Sequence, residues 1–383
     1  MQIDDVVITY IKSELLYKFP PYNMSRSDTQ RSGTAPGIKG RGAADNPANR
    51  FEELHYDYDP DTSGEAPDPE TRFYKDTSSS IITYNESPDV GFDASINPYR
   101  GCEHGCAYCY ARPTHEYLGF SAGLDFETRI MVKTNAPDLL RIELASSRWQ
   151  PQPIAMSGVT DPYQPIERHT RLTRECLEVL RDFRNPVTIV TKSSLITRDS
   201  DLLASLSEYN AASVLLSVTT LQSELRRFME PRTSHVNKRL EAIQTLSAEG
   251  IPCGVLIAPV IPGLTEHEIP DILEAASRAG ASFGGYVVLR LPYNLKEQFS
   301  DWLNRNYPDR KEKVLNRLRE MRLGKLNESA FGERMRGRGA HAETIRRLYR
   351  MGLERTGLMD HGPTLSTEAF RNPEKRQLDL FTG

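Results

Sequence analysis

The sequence predicts an α/β chain built on a parallel sheet covered by helices and curled toward a partial barrel. Three observations support this. Over residues 92–293, short β-branched runs alternate with helical apolar periods, the pattern of strands buried on both faces of a parallel sheet. Right-handed crossovers between five or six such units curl the sheet toward a partial or complete barrel. The chain of 383 residues is 38% hydrophobic and 26% charged, which suffices for a large core under a polar surface.

Within that region Pro153–Ser157 is a short apolar run ending in small residues. Thr170–Arg184 places Leu172, Cys176, Val179, Leu180 and Phe183 on one helical face, and Asn185-Pro186 stops it. Val187–Thr191 then reads as a buried strand, Asp201–Tyr209 as a short helix and Ser213–Thr219 as a strand. Val236, Leu240, Ile243 and Leu246 mark a helix that Gly250 ends with a left-handed cap. Ile251–Ala258 and Phe283–Leu289 are further strands, with a helix over Ile269–Ala279 between them.

The flanks differ in composition. Ser25–Asn49 is rich in Gly, Ser, Pro and Arg without apolar period, so residues 1–50 read as a disordered N-terminal region. Met1–Tyr22 is unlike the rest of the chain, making Met24 an alternative start that N-terminal sequencing decides. Phe51–Glu70 holds eight acids and no Lys or Arg, within an acidic segment over 51–91. Arg310–Arg350 carries thirteen Lys/Arg against five Glu, within a basic helical extension over 294–370, and 371–383 reads as a mobile tail. The net charge of -4 hides this asymmetry.

No run approaches the ~18 apolar residues of a membrane helix, and Met1–Asp5 lacks a basic n-region. Three of the five cysteines fall within eight residues. That is no disulfide framework, and it points to a reducing compartment, hence the cytoplasm, and to a metal or redox site.

Cys102, Cys106 and Cys109 form a CxxxCxxC loop in which Gly101 and Gly105 permit the tight turns needed for three thiolates to converge on one inorganic centre. Zinc held by these three with His104 is one alternative, although structural zinc sites usually pair two separated knuckles. A ferredoxin-like carrier is another, and it needs a fourth cysteine. The next one, Cys176, lies on an apolar helix face and reads, like Cys253, as a buried structural thiol. A cubane on three thiolates keeps one iron open for a small molecule.

Together with Ser157-Gly158-Val159-Thr160-Asp161-Pro162-Tyr163-Gln164-Pro165-Ile166-Glu167, Thr191-Lys192-Ser193, Glu230-Pro231-Arg232 and Ala258-Pro259-Val260-Ile261-Pro262-Gly263, this loop resembles the radical SAM superfamily, spore photoproduct lyase-like branch, over roughly 92–293. The resemblance implies a partial (β/α)6 barrel and a [4Fe-4S] cluster on Cys102, Cys106 and Cys109 that chelates S-adenosyl-L-methionine. It further implies reductive cleavage of that cofactor to a 5′-deoxyadenosyl radical for hydrogen abstraction, and an electron donor such as flavodoxin or ferredoxin. The cofactor carries that chemistry; the protein orients it and excludes water.

In that framework each block follows a predicted strand, where barrel loops build sites. Tyr108 is placed to pack on adenine. Ser157, Gly158, Thr160 and Asp161 offer small residues and backbone groups to the methionine amino end. Lys192 and Ser193, with Ser217, suit the carboxylate or ribose. Arg232 is either a cofactor contact or a structural ion pair. Spore photoproduct lyases use a further cysteine as hydrogen donor, and none occurs between Cys109 and Cys176. Tyr110 or Tyr163 would then donate instead, and the substrate is unassigned.

The tail Gln377-Leu378-Asp379-Leu380-Phe381 resembles the bacterial sliding-clamp-binding motif, with Leu380 and Phe381 suited to an apolar pocket and Gln377 to a polar anchor. With Arg334, Arg336 and Arg338 available to phosphates, the expected function is radical chemistry on nucleic acid, DNA favoured, in lyase-like DNA repair or maintenance. The alternatives are a radical SAM enzyme acting on tRNA, a peptide or a small metabolite, and a non-catalytic metal-binding nucleic-acid-binding protein.

Overall fold

The computed structural model describes residues 37–51 and 70–374. The strands are β1 (Arg72–Lys75), β2 (Ile82–Tyr84), β3 (Ala94–Ile96), β4 (Tyr99–Arg100), β5 (Arg129–Val132), β6 (Ile154–Met156), β7 (Val187–Thr191), β8 (Ala212–Ser217), β9 (Cys253–Val260) and β10 (Phe283–Val288). The principal helices are α1 (Ala136–Ala145), α2 (Leu172–Phe183), α3 (Ser200–Ser207), α4 (Ser223–Met229), α5 (Val236–Ala248), α6 (Ile269–Arg278), α7 (Leu295–Asn306), α8 (Pro308–Met321) and α9 (Gly339–Thr356).

Seven strands form the main sheet in the order β10-β9-β8-β7-β6-β3-β2. Six of them, from β3 to β10, are mutually parallel neighbours, and β2 is an antiparallel edge. Successive parallel strands with helical crossovers are the expected six-unit barrel, and all six C-terminal ends share one rim. A second sheet, β1-β5-β4, flanks the segment after β3.

The sheet does not close on itself, since β2 and β10 are its two edges. One tie spans them. Asp89, in the loop after β2, accepts Nε of Arg334 at 2.7 Å and a second guanidinium nitrogen. The Arg334 segment lies against β10, where Met335 carbonyl accepts Val288 N–H at 2.9 Å.

The core is continuous across the sheet and its helices. Cys176 and Cys253 are buried in it as expected. Helix α9 packs on α6 and anchors to β10 through Tyr349 hydroxyl, which donates to Gly284 carbonyl at 2.8 Å. No helix among the described residues is long and apolar enough to cross a membrane.

Two expectations for the flanks need correction. Residues 37–49 are not a free chain: Arg41, Gly42 and Ala43 are buried and form a strap against the cysteine loop. Its order comes from a distant carboxylate that sequence periodicity does not register. Likewise Arg371 N–H donates to Phe183 carbonyl at 2.9 Å and Asn372 to Ala145 carbonyl at 2.9 Å, so the start of the tail is packed. Met1, Met24, most of the acidic stretch and Gln377–Phe381 lie outside the described residues.

Candidate metal centre and cofactor cleft

The cysteine loop follows β3 and β4 and sits on the C-terminal rim of the sheet. Gly101 and Gly105 adopt φ of +77° and +62°, which a side chain resists. Cys102 N–H donates to Phe126 carbonyl at 2.9 Å, and Ala107 N–H to Met229 carbonyl at 2.9 Å. Gln164 brackets the turn, accepting Glu103 N–H at 2.9 Å and donating to Gly101 carbonyl at 3.2 Å.

Beneath the loop lies a buried pair absent from the sequence reading. Arg112 donates Nε and Nη2 to Cys106 carbonyl at 3.1 and 3.0 Å, Nη1 to Gly123 carbonyl at 2.8 Å, and Nη2 to Glu127 at 2.7 Å. Glu127 also accepts the N–H groups of Gly42 and Ala43 at 3.2 and 2.8 Å. The guanidinium thus fixes the carbonyl of the middle cysteine, and the carboxylate fixes the strap. A buried charge persists only when paired and hydrogen-bonded in this way.

Cys102 and Cys106 are buried, Cys109 is half-buried, and Ala111 and Phe126 pack beside them. Burial pushes all three thiols up from the ordinary cysteine value, and an inorganic centre that binds them must displace their protons. The three thiols come from one short loop, whereas a structural zinc site takes four such ligands. His104 Nδ1 lies 3.2 Å from Asp161. Three thiols on one tight turn are a donor set that fits an iron–sulfur cubane with one iron left open.

Asp161 is a hub of the rim. It accepts Thr191 hydroxyl at 2.7 Å, Lys192 N–H at 2.8 Å and Tyr163 N–H at 2.9 Å. Burial opposes its charge, but facing His104 and the donors of Lys192 and Thr191 outweigh burial and hold the carboxyl down to about 2. Its oxygens are fully engaged, so it orients the rim. Ser157 stands at φ +103°, a strained angle for serine. Asn97 accepts the N–H groups of Val159 and Thr160 at 3.0 and 3.1 Å, shaping the Ser157–Thr160 turn. Thr160 hydroxyl donates to Tyr99 carbonyl at 2.9 Å.

Lys192 and Ser217 meet directly. The ammonium donates to Ser217 Oγ at 2.9 Å and lies 5.8 Å from the Tyr108 ring centroid. Ser193 is turned away as a cap, accepting Leu195 N–H at 3.3 Å. Tyr108 hydroxyl donates to Glu230, which also accepts Thr219 hydroxyl at 2.8 Å and Arg239 at 2.5 Å. Burial opposes the Glu230 charge, yet Arg239 and Lys192 outweigh it and hold the carboxyl down to about 2. Glu230 and Arg239 are fully buried; Glu230 figured in the sequence only as part of a block, and nothing there signalled its partner. Arg232 is placed at the loop by its N–H to His104 carbonyl at 3.4 Å and by a loose approach to Glu103 at 3.8 Å.

The two tyrosines separate. Tyr163 is 1% exposed, and its hydroxyl donates to Asp199 at 3.1 Å inside a buried network. Tyr110 is 48% exposed beside Cys109, with its hydroxyl on Gly158 carbonyl at 2.8 Å and the Arg290 guanidinium 5.4 Å from its ring centroid.

Comparisons with known proteins identify similar chains and a similar fold. Residues 96–276 match the family model of the Radical SAM superfamily. An uncharacterized protein of Mycobacterium tuberculosis is 36% identical over 252 residues, covering 65% of this chain and 73% of that one. An uncharacterized protein of Methanocaldococcus jannaschii is 31% identical over 222 residues, covering 58% and 79%. A structure of spore photoproduct lyase complexed with dinucleoside spore photoproduct superposes with a TM-score of 0.51 at 16% identity, covering 74% of this chain and 79% of that one, a likeness of fold.

Proposed function

Because this chain belongs to the radical SAM superfamily, whose members use a [4Fe-4S] cluster and S-adenosyl-L-methionine, we propose that it is a hydrogen-abstracting enzyme acting on nucleic acid, with DNA repair or maintenance as its setting. The observation that carries the reading is the hydrogen-bonded three-cysteine loop on the rim, with the Lys192 ammonium held by Ser217 near the Tyr108 ring of that loop. When bound, the cluster and its cofactor supply a carbon-centred radical able to take a hydrogen atom.

Cys102, Cys106 and Cys109 hold the cluster in this reading. Lys192 offers its ammonium to the cofactor carboxylate, a charge-assisted contact. The Ser157–Thr160 turn presents backbone groups to the amino end, and Tyr108 packs on the adenine with its hydroxyl anchored by Glu230. Ser193 and Asp161 position these groups, and Arg232 steadies the loop. Tyr110, exposed at the mouth, is the better placed hydrogen donor of the two tyrosines. A cytoplasmic flavodoxin or ferredoxin supplies the electron.

Support for nucleic acid comes from the basic segment and from the fold shared with a lyase solved with a dinucleoside photoproduct. The sequence of Gln377, Leu378, Asp379, Leu380 and Phe381 fits docking to a sliding clamp, which Leu380→Ala with Phe381→Ala should abolish in a pull-down. The decisive experiment is anaerobic reconstitution with dithionite, followed by deoxyadenosine release and hydrogen transfer on damaged and undamaged oligonucleotides. Alanine at Cys102, Cys106 or Cys109 should abolish both cluster and cleavage; retained cleavage in any of these variants overturns the assignment. Turnover only with tRNA, a peptide or a small metabolite overturns the DNA reading.

A further inference from the structure

Away from the cysteine loop, a groove of about 310 Å³ opens between β10 and α9. Arg336, Arg346 and Arg350 line it with Tyr286 and Tyr349, against a single carboxylate, Asp360. We propose that this groove binds phosphate groups of the nucleic-acid backbone and so holds the substrate polymer against the barrel. The proposal rests on the nucleic-acid reading above and adds which residues grip it.

The basic segment is not uniform. Arg334 is committed to Asp89, and Arg338 pairs with Glu333. Arg336 between them is different. Its guanidinium carbon lies 3.7 Å from the Tyr286 ring centroid, while its Nη1 is buried with no hydrogen-bond partner among the described residues. A guanidinium stacked on a ring and paired with no carboxylate among the described residues keeps donors for an arriving anion. The Tyr286 ring also packs against Tyr349, at 4.7 Å between centroids, so the guanidinium rests on a braced platform.

Helix α9 supplies the facing cations. Arg346 and Arg350 are four residues apart and therefore one above the other, with Tyr349 on the same stripe. Arg350 has no acidic partner among the described residues. Arg346 pairs with Glu343, but both side chains are about half exposed, where such a pair contributes little and exchanges readily. Three guanidinium forks around one open groove suit a tetrahedral oxyanion.

The position along the chain favours a polymer over a free anion. Arg334, Met335 and Arg336 are consecutive. Met335 Sδ accepts Arg290 Nη1 at 3.8 Å, and Arg290 covers the Tyr110 ring beside Cys109. A strand gripped at Arg336 thus lies along the β10 edge that leads to the cluster loop.

The test uses the reconstituted holoenzyme, kept anaerobic, and fluorescence anisotropy with a labelled single-stranded oligonucleotide at two salt concentrations. Arg336→Gln with Arg350→Gln should weaken binding about tenfold or more and flatten the slope of log affinity against log salt by about 1.4, two contacts at ~0.7 each. Arg347→Gln, which removes the same charge elsewhere on α9, should leave both unchanged. Iron content and melting temperature report that each variant folds. Equal weakening by Arg347→Gln, or none from the double variant, overturns the groove while leaving the nucleic-acid reading intact. No binding by the wild type overturns that reading itself. Inorganic phosphate or pyrophosphate raising the melting temperature only when Arg336 and Arg350 are present, without oligonucleotide binding, reassigns the groove to a small phosphate and overturns the proposal.

Discussion

Gly42 is the point at which the N-terminal strap touches the cysteine loop. A β-carbon there would stand 1.9 Å from Gly105 carbonyl oxygen and 2.9 Å from Ala107 nitrogen. Both are backbone atoms in a loop already fixed by Arg112, so neither yields cheaply, and Gly42→Ala should lift the strap. Lifting it forfeits the bonds of Gly42 and Ala43 N–H to the Glu127 carboxylate, at 3.2 and 2.8 Å. Hydrogen bonds to a charged acceptor contribute about 1.5–3 kcal/mol each, so the loss is about 3–6 kcal/mol. The entropy that alanine removes from the unfolded chain returns only about 0.4–1 kcal/mol. A loss of about 3 kcal/mol raises the open population of the strap on the order of a hundredfold. The assay is the bleaching rate of the reconstituted cluster in air, together with a denaturant titration. Gly91→Ala, whose added carbon meets nothing within 4 Å, is the neutral comparison. If Gly42→Ala bleaches and unfolds like Gly91→Ala, the strap does not guard the cluster and the reasoning fails.

Two further perturbations concern buried groups. Burial holds His115 down to about 4, and neither ring nitrogen has a hydrogen-bond partner among the described residues. The unfolded chain, with an ordinary histidine near 6.5, takes up the proton first. Stability is therefore full above about pH 6.5 and falls by roughly 3 kcal/mol as pH drops to about 4; His115→Phe should remove that window from melting curves recorded across it, and an unchanged profile excludes His115 as the cause. Lys192→Met should weaken S-adenosyl-L-methionine binding about tenfold to a hundredfold, the worth of a charge-assisted hydrogen bond, while iron content stays constant. Equilibrium dialysis measures this, and wild-type affinity would show that the ammonium serves only Ser217 and the Ala258 carbonyl.

The sheet was legible because its strands announce themselves locally. Val187–Thr191 is β-branched, is bounded by Asn185-Pro186 and Lys192-Ser193, and falls where expected. The amphipathic period of α2 locates Leu172–Phe183 in the same way. Elements ordered by remote partners were not legible. Residues 37–49 have no apolar period, and their order comes from Glu127, some 85 positions away. Arg112 and Glu127 look like surface charges until folding buries them together. β1 is missed because three of its four residues are exposed, so no buried period marks it. Tyr163 reads as a rim residue by its motif, yet Asp199 draws its hydroxyl into the core.

The Asp89–Arg334 pair bridges the loop after β2 and the segment beside β10. An open sheet has two margins that can splay apart, and this pair of opposite charges holds them together. Both side chains are largely sheltered from water, where salt screens charges weakly, so the clasp keeps its grip as ionic strength rises.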